Sequence, residues 1–593
     1  MAVKAGVEVS VHGRLPRLRV AARRLILVAA VAGVPAACGS NGNDGAADAV
    51  PAIAAEGRTG WSASGNYLAG RFAAAAGEAG VAADFFSGAL HGDPENAELL
   101  QHAFTLTAAE GRMDEAAGLA RRLLQFDSSS PLAIILVAVQ EARSGDFKAA
   151  ERRLRSLPER GLSSFLGPLL AAWAKAGEGD IDGALQRLAP LADNSHFQAI
   201  HDFHAALISD LADRRDAAAH FYRKTGAGGG GPALRYVQAA ASFFQRSGQP
   251  EEARRLLADY QRDRPDGSLL DLRALGLAEP RKEIPSATAG MAEALFGAAT
   301  SLRQAKTPEA ALILARLGVY LQPDFPLARI LIADILQGRG DLVEANAVYG
   351  AIRPGNVGYW AAQLRVATNL DDLGDHDGAE RLLRDMADQQ PDRIEALVAL
   401  GEILRGRKRY AEAVAAYDGA IARLAGRVDA RHWVLYYSRG MSLERAGQWP
   451  AAERDLLRAL ELEPDQPHVL NYLGYSWVEQ GLNIEAAKRM IEKAVELRPD
   501  DGYIVDSLGW ALYRVGDYPE AVAKLERAVE LRPEDPTIND HLGDALWQVG
   551  RRDEARFQWQ RTLTLEPEPE LVDGIRGKIV SGLGDKTAAG IGP

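Results

Sequence analysis

A fixed beat runs through this chain and excludes most folds. Gly474, Gly509 and Gly543 stand 35 and 34 residues apart, Ala487, Ala521 and Ala555 stand 34 and 34 apart, and Pro499, Pro533 and Pro567 keep the same step. Each of the glycines follows a leucine (Leu473, Leu508, Leu542). A unit this short cannot bury a core alone, so neighbouring units must stack. The residue types define a pair of antiparallel helices. Gly509 and Ala521 are small where the helices approach, Leu508, Leu512 and Leu525 fill the space between them, and Ala528 leaves room for the next unit. Pro533 ends the second helix because proline has no N–H to extend the ladder.

A twelve-residue step from alanine to proline carries the pattern upstream. It joins Ala82 to Pro94, Ala253 to Pro265, Ala311 to Pro323, Ala379 to Pro391 and Ala452 to Pro464, with degenerate units around Ala117, Ala150, Ala184, Ala218, Ala345 and Ala413. About 14 hairpins are expected between roughly residues 63 and 569. Leu-Gly in the first helix, a small residue early in the second and proline after it resemble the tetratricopeptide repeat. That resemblance implies an all-α, right-handed superhelical solenoid of helical hairpins. The family's tryptophan near the start of the first helix is absent, and Val505 stands there in one unit. Residues 266–289, with Pro280 and Pro285, break the phase, and residues 425–431 are a short insertion. The expected organisation is a first superhelix at 63–268, a linker at 269–289, a second superhelix at 290–569, and a capping helix with a tail at 570–593.

The N-terminus has the form of an export signal. Five arginines (Arg14, Arg17, Arg19, Arg23, Arg24) precede an uncharged run, Leu25 to Ala37, that is too short to span a bilayer. The sole cysteine, Cys38, follows at once. One cysteine cannot form an intrachain disulfide or a multi-cysteine zinc site. Val34-Pro35-Ala36-Ala37-Cys38-Gly39 resembles a bacterial lipobox, although Pro35 stands where that pattern prefers an aliphatic residue. The resemblance implies residues 1–37 as signal peptide, Cys38 as the lipidated mature end and 38–62 as a tether. Cleavage near Ala36 or Ala37 without lipidation, giving a soluble periplasmic protein, and retention as an uncleaved anchor are the alternatives.

The chain carries a net charge of -12 and no basic patch interleaved with aromatics, which argues against nucleic acid as a partner. Of the candidate chemical motifs none meets its own requirements. His201 and His204, near His196 and His220, lack the spacing and the glutamate of a metalloprotease helix. Gly226, Gly228 and Gly231 match G-x-G-x-x-G but follow a helix, not a strand. No enzyme activity, cofactor or metal is expected, and ligands should be other proteins or peptide segments.

Those ligands should lie in the groove lined by the first helix of each hairpin. Taking the Leu-Gly glycine as reference, positions -3, +1, +4 and +5 should face inward. In the last units this selects Tyr437, Asn471, Tyr475, Asp506, Trp510, Tyr513, Arg514, Asp540, Asp544 and Trp547, with Tyr503 one turn earlier. Aromatic rings with polar tips are enriched at binding hot spots. The acids among them favour an apolar partner with some positive charge. Trp510 and Tyr513 are expected to be open to the groove, so that truncating both weakens binding and leaves melting nearly unchanged.

The runs Leu470-Asn471-Tyr472-Leu473-Gly474-Tyr475, Asp501-Gly502-Tyr503-Ile504-Val505-Asp506-Ser507-Leu508-Gly509-Trp510 and His541-Leu542-Gly543-Asp544-Ala545-Leu546-Trp547 resemble the large outer-membrane tetratricopeptide lipoproteins of Gram-negative bacteria. One member of that family docks a periplasmic carboxyl-terminal processing protease with cell-wall hydrolases. The resemblance implies an outer-membrane lipoprotein adaptor, attached to the membrane only by its lipid. A structural part of an envelope export or pilus-assembly machine is the alternative.

Overall fold

The computed structural model describes residues 62–226, 233–263, 281–305 and 307–583. The expected signal peptide, Cys38, nearly all of the tether, the first part of the 269–289 linker and the final ten residues lie outside the described residues. Among the described residues there are 29 α-helices and no strand. They pair as 14 antiparallel hairpins, from Ala63–Ala75 with Ala79–Ala89 to Pro536–Gln548 with Arg552–Thr564, followed by a single helix, Pro569–Ser581.

One hairpin shows why the sequence folds this way. Asp501 caps Gly502–Arg514 by accepting from the Tyr503 N–H at 3.1 Å. A Cβ on Gly509 would stand 2.6 Å from Leu525 Cγ, so only glycine lets the two helices meet there. Gly516, at φ 86°, turns the chain into Tyr518–Leu531, which puts Ala521, Leu525 and Ala528 into the core. Asp535 then caps the next first helix through the Ile538 N–H at 3.0 Å.

The seventh hairpin departs from simple stacking. Its first helix, Ala287–Gln304, packs chiefly against Ser163–Gly177 and also touches Gln198–Leu211 and Pro131–Arg143. Its second, Pro308–Leu321, packs against Ala97–Ala109 and Pro131–Arg143. All of these are first helices of earlier hairpins, so residues 287–321 fill the groove of the chain's own first half. The fit is specific. Gly290 lies flat on the indole of Trp173, where any Cβ would collide, and Trp173 Nε1 donates to His204 Nδ1 at 3.0 Å. Arg235 donates to Glu293 at 2.7 Å and to Glu283 at 3.3 Å. Arg316 donates to the Glu110 carbonyl at 3.0 Å, and the Arg143 guanidinium lies 3.9 Å over the Tyr320 ring, whose hydroxyl donates to Asp114.

The buried core therefore does not divide at 269–289 as the sequence suggested. Helix has begun by Ala287, and one continuous core runs from Ala73 to Ala362. The next clusters cover Trp360 to Leu435 and Tyr437 to Ile575. The physical reason is that the hairpin at 287–321 packs into the groove of the first half and shares its core instead of starting a separate body.

Candidate protein-docking groove

From Pro326–Arg339 onward each first helix makes substantial contact only with its hairpin partner and the adjoining hairpins. The inner face of this half is thus left free by the described chain, whereas the first half's is filled.

On the free face, toward the C-terminal end of the stack, stands Trp510, half-buried. Its indole stacks on Tyr513 at 4.8 Å and on His541 at 4.1 Å, and its Nε1 donates to Glu479. Arg514 donates to the same Glu479 carboxylate at 3.1 Å. Tyr475 is half-buried among Glu479, Asp506, Arg514 and Arg445, and burial, then Glu479 and Asp506, push its hydroxyl pKa up. Tyr513 accepts from Gln548 Nε2 at 3.4 Å and meets Tyr518 edge-on at 5.4 Å. Asn471 is half-buried, and its Oδ1 finds no hydrogen-bond partner among the described residues. Tyr503 is 44% exposed with the Arg532 guanidinium 4.8 Å from its ring.

Other expected groove residues are placed differently. Tyr437 is buried against Trp433 and Tyr472, and that burial lifts its hydroxyl pKa to about 12. Asp506 is buried, with both carboxylate oxygens 3.0 and 3.1 Å from His541 Nδ1. Asp544 is buried too, accepting from Trp559 Nε1 at 2.9 Å and from Lys578 at 2.8 Å, while Asp540 accepts from Lys578 at 2.8 Å. Trp547 is covered by the Gly582 backbone and flanked by Trp559, Arg552 and Arg556. A register taken from helix periodicity tells which side of a helix faces inward, but not how deeply the neighbouring helices bury it.

The expected excess of negative charge is also cancelled. Asp506 has His541, Asp540 and Asp544 have Lys578, and Glu479 has Arg514. What remains accessible is an aromatic shelf, Tyr475–Trp510–Tyr513, with a rim of Arg445, Glu479, Arg514 and Gln548 in which opposite charges alternate. His541 and Lys578 were not among the expected groove residues, and each sits two helices on from its partners. The 34-residue step from Asp544 to Lys578 was the available signal.

Of the upstream histidines, His201 and His204 are tied into the packing, and His196 and His220 are exposed. His204 is buried and accepts from Trp173, and burial depresses its pKa to about 3, so the ring is neutral. Asp202 is buried and accepts from His201 at 2.9 Å and Lys224 at 3.0 Å. Among the described residues no group of three His, Cys, Asp or Glu side chains is placed to hold a metal. Gly226 ends the Arg215–Gly226 helix, and Gly228 and Gly231 lie outside the described residues.

Residues 364–427, 437–502 and 507–567 match the family model of the tetratricopeptide repeat. No curated protein matches the chain. Solved structures that it is similar to include the Cut9–Hcn1 hetero-tetramer of the APC/C, at 14% identity over 87% of this chain and 96% of that one with a TM-score of 0.37. A tetratricopeptide repeat protein from Parabacteroides merdae matches at 15% identity over 42% and 95% with a TM-score of 0.35. YrrB, described as a TPR protein with an unusual peptide-binding site, matches at 17% over 33% and 97% with a TM-score of 0.26. The hairpins from residue 364 to 567 are tetratricopeptide repeats, and the protein is an all-α helical solenoid that carries them.

Proposed function

We propose that this chain is a non-enzymatic scaffold of the cell envelope that docks other proteins in the inner face of its second half. The observation that carries the reading is the difference between the two grooves. The first is filled by residues 287–321 of the same chain, and the second presents Tyr475, Trp510 and Tyr513 with no covering helix among the described residues. Rigid aromatic rings with polar tips suit a polypeptide ligand. The cancelled charges make an apolar segment with mixed polarity the fitting partner, not a strongly basic one.

The finer reading is an adaptor anchored through lipidated Cys38 to the outer membrane. There it brings a periplasmic carboxyl-terminal processing protease together with cell-wall hydrolase substrates. What supports it is the basic and apolar N-terminal sequence ending in the sole cysteine, and the resemblance, most specific over residues 467–565. Holding two proteins on one scaffold raises their mutual concentration to about millimolar for short flexible links.

Affinity capture from detergent-solubilised envelopes tests the function. A serine-type processing protease held by the wild-type chain and lost with Tyr475→Ala supports the adaptor. Export-pore or pilus subunits would replace that reading with a part in an envelope machine. The anchor is tested separately, since Cys38→Ser should leave the membrane fraction. Continued retention of the serine variant would exclude the lipid.

A further inference from the structure

We propose that His541 is a proton-operated latch in the groove wall: protonated, it ties helix Gly502–Arg514 to helix Pro536–Gln548 beneath Trp510, and deprotonated it loosens the aromatic shelf. The inference rests on the docking reading only in taking this wall as the face a partner meets.

Geometry places the imidazole at a junction. One ring nitrogen, Nδ1, lies within 3.1 Å of both Asp506 oxygens on the preceding first helix, and the ring face stacks on Trp510 at 4.1 Å and an interplanar angle of 16°. Trp510 in turn reaches Glu479 one hairpin further back, so the imidazole is the end link of a chain across three hairpins with Trp510 at its middle. The charges facing it come from every helix packed there. Asp506 comes from Gly502–Arg514, Asp540 and Asp544 from its own helix, and Lys578 from Pro569–Ser581. Glu479 and Arg514 form a pair beyond Trp510, and Tyr475 and Tyr513 supply neutral hydroxyls.

With His541 charged, three carboxylates face two cations. Without that proton, three carboxylates face Lys578 alone, and Asp506 keeps only a neutral donor. A buried carboxylate whose partner loses its charge is strongly unfavourable, and the helices respond by opening toward water.

The titration has the matching direction. Burial alone pulls the imidazole pKa down, but the charge and hydrogen bond of Asp506, aided by Asp540 and Asp544, outweigh it and raise the pKa above the ordinary value. A raised folded-state pKa means that the stabilisation is full below the unfolded value of about 6.5 and fades as pH rises through the folded value. The latch is therefore closed in mild acid and opens on the alkaline side.

The test is histidine-selective NMR of the full chain across pH, with the His541 resonance assigned by its loss in His541→Gln. A midpoint above about 6.5, moving below it in Asp506→Asn, is the expected result. Tryptophan emission should change over the same pH range in the parent and stay flat in His541→Gln. A midpoint at or below the ordinary histidine value, or an emission change that survives His541→Gln, overturns the latch. If His541→Gln does not fold, the near-isosteric Asp506→Asn assigns the resonance by shifting it, and the same criteria apply. Neither measurement needs a partner. A failed latch leaves the scaffold reading standing, and a failed affinity capture leaves the latch standing.

Discussion

Gly290 and Trp173 form the tightest single fit between the chain's first half and the hairpin that fills it. The indole is fully buried and its nitrogen is held by His204, so it cannot move aside for a new methyl group. Gly290→Ala should therefore cost about 1–3 kcal/mol, as overpacking of a closed core does, and calorimetry would read it as a lower melting temperature. The neutral His204 adds a pH dependence of opposite sign to that of His541. Its folded pKa of about 3 lies below the unfolded value, so unfolding takes up a proton and stability falls as pH drops from about 6.5 toward 3. Melting curves from pH 7 to 4 should show this loss, and His204→Gln should flatten it. Trp510 also changes its expected role. With Tyr513, His541 and Glu479 all leaning on it, Trp510→Ala should lower the melting temperature measurably, by about 2 kcal/mol in stability, and not leave it unchanged. The Leu-Gly positions were legible because their partners sit one helix away in sequence. Gly290 was not, because the residue that demands it lies three hairpins upstream.

At the scale of the element, the turn inside the hairpins is a second marker beside the alanine used to find the repeats. A positive φ recurs at Gly77, Gly111, Gly145, Gly179, Asp213 and Gly248, and again at Gly340, Gly374, Lys408, Gly447, Gly481, Gly516 and Gly550. The packing alanine is kept and fully buried in all fourteen hairpins, so its beat survives in the degenerate first half. Each of these thirteen turns demands a left-handed residue, so within each run the spacing stays near 34, and the longer interval from Lys408 to Gly447 holds the 425–431 insertion. Lys408 is the costly member: it is exposed and carries a side chain at φ 62°. Lys408→Gly should stabilise the chain by about 0.5–1 kcal/mol, read as a higher urea midpoint. The capping helix makes the converse point. Lys578 stands 34 residues after Asp544 and neutralises both Asp540 and Asp544, so Pro569–Ser581 continues the inner wall as well as closing the stack. Lys578→Met leaves two neighbouring carboxylates unpaired and should cost about 2–3 kcal/mol at neutral pH, with much of the loss recovered when acid protonates them.

Over the whole molecule, two kinds of cooperativity are joined in one chain. In an ordinary repeat array each unit touches only its neighbours, and stability is close to a sum of local terms. Residues 360–583 follow that rule, with separate core clusters along the stack. Residues 73–362 do not, because the 287–321 hairpin contacts the second, third, fourth and fifth hairpins at once and shares their single core. Opening any of these uncovers the others, so the first half should unfold as one unit. The buried Arg235–Glu293 pair sits at that junction, and Glu293→Gln leaves Arg235 with only the second carboxylate, Glu283. Removing one partner of a buried pair costs about 3–5 kcal/mol, and the remaining contact to Glu283 places this case at the lower end. Hydrogen exchange followed by mass spectrometry at increasing urea should show peptides from 97–177 and 287–321 losing protection together, at one midpoint that Glu293→Gln lowers. Peptides from 437–548 should lose protection at a different midpoint that the substitution leaves alone. Early and separate loss of protection in 287–321 would mean that the hairpin is a loosely held occupant of the first groove, and would reopen that groove as a docking face.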